Sequence, residues 1–368
     1  MSSLRTPYYL LDERRLLDNL EVASAVREQS GAKLVLALKC FATWSVFGLL
    51  SRYLDGTTSS SLNEARLGHE EFGKEVHAYS VAYSPDEVVA VAAFADKVIF
   101  NSASQLRAYH DLVRPRLSGV RVNPGFSHSQ FDLADPARRH SRLGIADLSE
   151  LEAVAPLVSG LMFHFNCEND EIEGLEASLA CIAQKYEPVL HAMTWVSLGG
   201  GISFTTPGYP VERLCAALRS FAERFGVQVY LEPGEAIVTS TAELVTTVLD
   251  VVHNELDIAV IDASVEAHML DHLIYGTNPY VSSPAPGSHR TIVAGRTCLA
   301  GDVFAEQGFA KPMAVGDEVR IADAAGYTMV KATWFNGVPR PTIAVRRLDG
   351  TTDVVRQFEY EDFKRNLS

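Results

Sequence analysis

Lys39 closes the apolar run Leu34-Val35-Leu36-Ala37-Leu38, and residues further along the chain complement its chemistry. A short apolar run of this kind is the pattern of a buried strand. A lysine at its last position projects from the C-terminal end, where α/β barrels keep their chemistry. Desolvation there lowers the amine's pKa and favours a neutral nucleophile, able to hold an aldehyde as a Schiff base. His164 stands near the end of another such run, Gly199-Gly200-Gly201 ends a later one, and Glu232-Pro233-Gly234 ends the next. Consecutive glycines let backbone N–H groups close on a phosphate. A carboxylate beside a pyridine nitrogen holds that nitrogen protonated, and an imidazole can lie flat on a ring. These are the groups that pyridoxal phosphate chemistry needs from a protein. Singly, each has a plainer explanation: a solvent-facing lysine, a tight turn, a solvated carboxylate, a core histidine bonded to backbone. Later segments add Cys298 and Asp302, in Thr297-Cys298-Leu299-Ala300-Gly301-Asp302, and Tyr327. A thiol can return a proton to a carbanion, a carboxylate can bind a substrate amine, and a phenol can bind phosphate. A free cysteine is also commonly a small buried hydrophobe.

The elements that must position these residues alternate in type. Apolar β-rich runs at 34–39, 55–60, 76–80, 97–101, 120–124, 160–165, 195–200 and 228–233 read as strands. Amphipathic stretches, among them 13–29, 61–72, 102–113, 168–185 and 211–225, read as helices. Ser61 before Glu64 and Ser102 before Gln105 have capping-box spacing, and Gly73 is a helix stop. Eight strands alternating with helices predict a closed (β/α)₈ TIM barrel, whose strand ends share one mouth. An open doubly wound sheet is the alternative, but Cys40-Phe41-Ala42 follows the first strand where a glycine-rich turn is usual. After Pro233 the alternation stops. Segments 243–252, 257–262, 291–294, 318–321, 328–334 and 342–346 read as strands between Gly, Pro and Asp turns. The expected organisation is an α/β barrel over residues 12–235 that binds pyridoxal phosphate. A C-terminal, mostly-β domain over 236–368 would be joined by 1–11, with residues 8–11 pairing into it.

The 368-residue chain is long enough for both domains, and 47% hydrophobic with 21% charged residues is ordinary for a globular protein. A net charge of −14 argues against a nucleic-acid partner. Five scattered cysteines suit reduced thiols in a cytoplasm and suggest no metal site or disulfide framework. No apolar run is long enough to cross a membrane, and the N-terminus lacks a signal peptide's apolar core.

Several stretches together resemble the fold-type III, alanine-racemase-like pyridoxal phosphate decarboxylases, and within them the carboxynorspermidine/carboxyspermidine branch. They are Leu36-Ala37-Leu38-Lys39, residues 59–73, Arg121-Val122-Asn123-Pro124, Ser141-Arg142-Leu143-Gly144, residues 199–201, residues 231–236, residues 297–302 and Tyr327-Thr328-Met329-Val330-Lys331. The resemblance implies a cytoplasmic homodimer with shared active sites and pyridoxal 5′-phosphate as cofactor. Lys39 would carry the cofactor and His164 stack on its ring. Glu232 would meet the pyridine nitrogen, and Gly200, Gly201, Gly234 and Tyr327 the phosphate. Cys298 and Asp302 would enter the partner's site, Cys298 as a catalytic thiol. Asp302, Asp271 and Asn336 are the candidate contacts to a small amino-acid substrate, cationic at its distal end. The chain departs from the branch's usual pattern at residues 267–275, at Ile202-Ser203 and at Ala325-Gly326-Tyr327, so a paralogue acting on another carboxylated amine is the alternative. An amino-acid racemase of this fold would usually set arginine where Glu232 stands. A cofactor-binding protein without turnover would lack the second domain.

Overall fold

A computed structural model of the protein describes residues 4–113 and 117–368, so the first three residues of the expected β domain lie outside it. Two compact units emerge: Asp18–Ile237, and the N-terminal residues to Leu17 together with Val238–Ser368. Strand β1 (Tyr8–Asp12) belongs to the second unit.

The first unit is the barrel. Strands β2 (Lys33–Ala37), β3 (Gly56–Ser59), β4 (Glu75–Tyr79), β5 (Lys97–Phe100), β6 (Leu117–Val122), β7 (Gly160–Phe163), β8 (Trp195–Ser197) and β9 (Gln228–Leu231) run parallel. The barrel closes where β2 pairs with β9, Lys33 opposite Tyr230 and Leu34 opposite Leu231. Inward residues from successive strands meet in a cluster of Val35, Tyr79, Ile99, Met162, Trp195 and Tyr230. Trp195 fills so much of the interior that its neighbours must be glycine. A Cβ on Gly160 would lie 2.0 Å from the indole and one on Gly119 2.5 Å from it.

At the N-terminal ends of the strands an ionic floor seals the barrel. Glu75 accepts from Lys33, Lys97, His77 and Tyr230. Burial pushes the Glu75 carboxyl up, but bonds from His77, Lys33 and Lys97 outweigh it and hold the group below the usual carboxylate range. Burial takes His77 down to about 4, so at neutral pH it sits there uncharged. The opposite end is left for chemistry.

Each barrel strand ends before its apolar run does. The ladder of β2 stops at Ala37, and Lys39 lies in the following turn, where the Cys40 N–H donates to the Ala37 carbonyl at 3.0 Å. The helix expected over 61–72 begins as expected, with Ser61 accepting from the Glu64 N–H. It then widens into a π-turn over Gly68–Phe72 before stopping at left-handed Gly73. Gly68 packs against β3 so closely that a Cβ would lie 2.2 Å from the Thr57 hydroxyl.

In the second unit β10 (Ala242–Asn254), β11 (Leu256–Ile261), β12 (Val281–Ser283), β13 (Pro286–Ala294), β14 (Val303–Phe309), β15 (Glu318–Ile321), β16 (Thr342–Arg346) and β17 (Thr352–Arg356) join β1 in one nine-stranded sheet. β1 lies between β10, antiparallel, and β16, parallel. The run 328–334 is not a strand: Met329–Lys331 form a 3₁₀ turn after Tyr327, whose φ of 50° breaks any extended course. Strands β12, β14 and β17 were not legible as strands in the sequence.

Candidate active site

The turns after the barrel strands build one recess, walled by Lys39, Thr58, Tyr79, Arg121, His164, Gly200 and Glu232 among others. Solvent reaches Lys39 through the opening, yet protein atoms crowd the amine. Their desolvation, followed by the nearby charge of Arg121, lowers the lysine's pKa against the opposing pull of Glu232. Glu232 is buried, which excludes the solvated-loop explanation. Its Oε1 accepts from Ser197 Oγ at 2.5 Å and its Oε2 from Thr58 Oγ1 at 3.4 Å. Burial raises its pKa, while Ser197, Lys39, Arg121 and Thr58 favour the ionised form.

His164 follows β7 directly. Burial, then the charges of Lys39 and Arg121, keep its pKa well below the ordinary histidine value, so the ring is neutral. The Gly200 N–H donates to Nδ1 at 3.4 Å, which places the ring proton on Nε2. The glycine turn is dictated by packing as much as by a ligand. A Cβ on Gly199 would lie 2.4 Å from the imidazole, and one on Gly200 2.1 Å from the Glu232 carbonyl. Gly199 and Gly201 also take φ of 71° and 82°. Among the described residues the backbone N–H groups of Gly201 and Gly234 have no acceptor. Two such donors, a crowded amine, a neutral imidazole and a buried carboxylate fit a phosphorylated pyridine aldehyde.

Sequence reasoning gave no task to Arg121, which is tightly built into the recess. It is 5% exposed, and Nη1 donates to Tyr79 Oη at 3.0 Å. Tyr79 in turn donates to Asn101 Oδ1 at 2.8 Å. Asn101 also accepts from the Gly144 N–H and donates to the Arg142 carbonyl, which explains the Ser141-Arg142-Leu143-Gly144 turn. The available signal was a charged residue at the end of an apolar strand. Ser197 and Thr58, which anchor Glu232, carried no signal.

The second unit groups its candidates in two places. Cys298 is exposed, unlike a buried structural thiol, and its N–H donates to Asn336 Oδ1 at 2.7 Å. Asn336 therefore fixes the loop rather than offering its amide oxygen outward. Asp302 is 3% exposed. Its Oδ1 accepts from Ser264 Oγ at 3.1 Å and the Val265 N–H at 2.7 Å. Its Oδ2 accepts from the Thr297 N–H at 3.1 Å and Thr297 Oγ1 at 2.6 Å. A carboxylate so saturated is a poor fit to the amine-binding role expected of it, and its geometry is that of a clamp on the Cys298 loop. Asp271 pairs with Lys331, whose ammonium stands 5.2 Å over the Tyr327 ring.

Comparison with known proteins gives consistent matches. The family described as "Pyridoxal-dependent decarboxylase, C-terminal sheet domain" matches residues 22–325. A carboxynorspermidine/carboxyspermidine decarboxylase of Herminiimonas arsenicoxydans is 51% identical, over 99% of this chain and 100% of that protein. A carboxyaminopropylagmatine decarboxylase of a Synechocystis species is 36% identical over 100% of this chain and 96% of that one. The crystal structure of carboxynorspermidine decarboxylase from Campylobacter jejuni, complexed with norspermidine, superposes with a TM-score of 0.90 at 36% identity, covering 99% of this chain and 100% of that one.

Proposed function

We propose that this chain, which belongs to the pyridoxal-dependent decarboxylase family, removes the α-carboxylate of carboxynorspermidine or carboxyspermidine in polyamine biosynthesis. The observation that carries this reading is the 51% identity to a decarboxylase of that name across essentially both whole chains. The complex of a similar enzyme with norspermidine supports a substrate whose distal part is cationic.

Pyridoxal 5′-phosphate is the cofactor this family implies. Lys39 would hold its aldehyde, His164 its ring face, Glu232 its ring nitrogen, and Gly200, Gly201, Gly234 and Tyr327 its phosphate. When bound, it supplies an electron sink for the pair left by departing carbon dioxide. The chain's own groups do the rest. Arg121, fixed by Tyr79, disfavours a proton on Lys39 and so keeps the amine nucleophilic. Glu232 holds a proton at the ring nitrogen. Cys298 gives a proton to the substrate α-carbon, replacing the carboxylate lost. Asp271 and the Tyr327 ring already receive one ammonium, that of Lys331, and a substrate amine carries the same charge. Five free thiols fit a reducing cytoplasm, and the net charge of −14 is unsuited to nucleic acid. No helix among the described residues is long and apolar enough to cross a membrane.

The deciding experiment incubates holoenzyme with carboxynorspermidine, carboxyspermidine, carboxyaminopropylagmatine, diaminopimelate, ornithine and alanine, following carbon dioxide and product mass. A carboxypolyamine should lead diaminopimelate and ornithine in kcat/KM by about 10²-fold or more, because each of those has only one amine beyond the α-amino group and leaves the groups that would receive the second one unpaired. A preference for diaminopimelate or ornithine, or racemisation in place of gas release, rejects the proposal.

The active protein is proposed to be a two-fold homodimer in which Lys39 of one chain works with Cys298 of the other. Lys39→Ala and Cys298→Ala homodimers should each be severely impaired. Random mixing makes about half the dimers hybrid, and each hybrid has one site with both defects and one with neither. Activity should therefore return to roughly a quarter of wild type. Absence of any recovery, with subunit exchange demonstrated, assigns both residues to one chain's site and ends the shared-site reading.

A further inference from the structure

The second unit contains a recess of about 500 Å³ that has no part in the reading above. Three guanidinium groups, those of Arg5, Arg296 and Arg340, line it. Among the described residues none of these side chains has a hydrogen-bond acceptor or an ion-pair partner. Arg340 Nε is buried and unsatisfied, and its guanidinium stands 4.6 Å from the centre of the Phe358 ring. Burial lowers the Arg340 pKa, against the weaker opposing pull of Tyr9 and Asp362. One carboxylate, Asp262, shares the lining, and its Oδ1 is occupied by the Thr247 N–H at 2.9 Å.

Two considerations make this arrangement informative. The chain carries 46 acidic against 32 basic residues, so three unpaired arginines around one recess run against its overall balance. A buried guanidinium N–H without an acceptor is destabilising, and an arriving acceptor relieves that cost. Guanidinium groups suit oxyanions because their N–H bonds are set as a fork. The volume falls in the range of small-molecule sites. Leu249, Val354 and Phe358 add apolar wall, enough for an organic body behind the charge.

We propose that this recess is a second ligand site, for a small molecule bearing a multiply charged oxyanion such as a phosphate ester, held by Arg5, Arg296 and Arg340. It is separate from the decarboxylation reading and stands or falls without it.

The test uses holoenzyme with its cofactor site filled and free pyridoxal phosphate removed, since that compound is itself an oxyanion. Inorganic pyrophosphate is titrated calorimetrically at low salt, with sodium chloride at matched ionic strength as control. The expected result is saturable binding of one pyrophosphate per chain, with Kd below ~1 mM. It should be accompanied by a rise in Tm. Arg340→Met should weaken binding by about tenfold or more, the scale of one lost charge-assisted bond. Arg296→Met, on an exposed side chain, should do the same and covers the case in which the Arg340 variant folds poorly. No saturation with the wild-type protein, or an unchanged Kd in Arg296→Met and in any folded Arg340→Met protein, overturns the proposal.

Discussion

Lys39→Ala should lose turnover by about 10³-fold or more, a barrier increase of about 4 kcal/mol. Lys39 is the amine among the recess-lining residues, and burial together with Arg121 biases it toward the neutral form. Glu232, Cys40 and Cys167 pull the other way, and the charge of Lys39 acts in turn on His164 and Glu64. Alanine removes the nucleophile and leaves the hydroxyl bonds to Glu232 intact, so the fold should survive. The second readout is chemical. Borohydride reduction of wild-type holoenzyme, followed by digestion, should yield a pyridoxyl-modified peptide containing Lys39, and the variant should yield none. The neutral amine is the reactive form, so capture of added pyridoxal phosphate by apoenzyme should slow as pH falls through the lysine's pKa. Because that pKa is lowered, the midpoint should lie below the ordinary lysine range. A modified wild-type peptide mapping to another lysine would falsify the assignment.

The barrel was legible because its strands are buried on both faces and most of them read as short apolar, β-rich runs. Their ends were less so. Apolar side chains continue past the last paired residue, as Leu38 does after Ala37, so each run overran the end of its strand. In the sheet domain the pattern misled in both directions. Residues 328–334 carry Thr, Val and Trp, which favour strands, yet Met329 is buried in a 3₁₀ turn where the Lys331 N–H donates to Thr328. Strand β17 is a largely exposed edge with no apolar alternation to reveal it. The site divides in the same way. Lys39, His164, Gly200 and Glu232 could be found because each closes an apolar run, and the structure gathers all four at one recess. Asp302 could not be judged, because the Ser264 and Val265 groups that saturate it lie 38 and 37 residues away. Arg121 was visible as a residue and invisible as a neighbour, since its partner Tyr79 is 42 positions distant. Residue types announce what chemistry is possible, whereas long-range bonds decide which groups remain free to perform it.

Glu232→Gln should retain the cofactor and still lose turnover by about 10²-fold or more, near 3 kcal/mol of barrier. The carboxylate is buried, accepts from Ser197 and Thr58, and shares its recess with Lys39 and Arg121. Burial raises its pKa, and the two hydroxyls with the neighbouring Lys39 and Arg121 work in the opposite direction, toward the ionised form. In the proposed role Glu232 would hold a proton on the cofactor's ring nitrogen, so that positive charge would stand where electrons must flow during decarboxylation. Glutamine has the same shape, and its amide oxygen can still accept from Ser197, so packing is preserved and the charge alone is removed. Borohydride should therefore still fix the cofactor to Lys39 in the variant, while carbon dioxide release falls. A loss of cofactor in step with activity would point to a structural role. Turnover near wild type would show that the buried charge is not needed for electron withdrawal, and would remove the main ground for preferring a decarboxylase site to a racemase site in this recess.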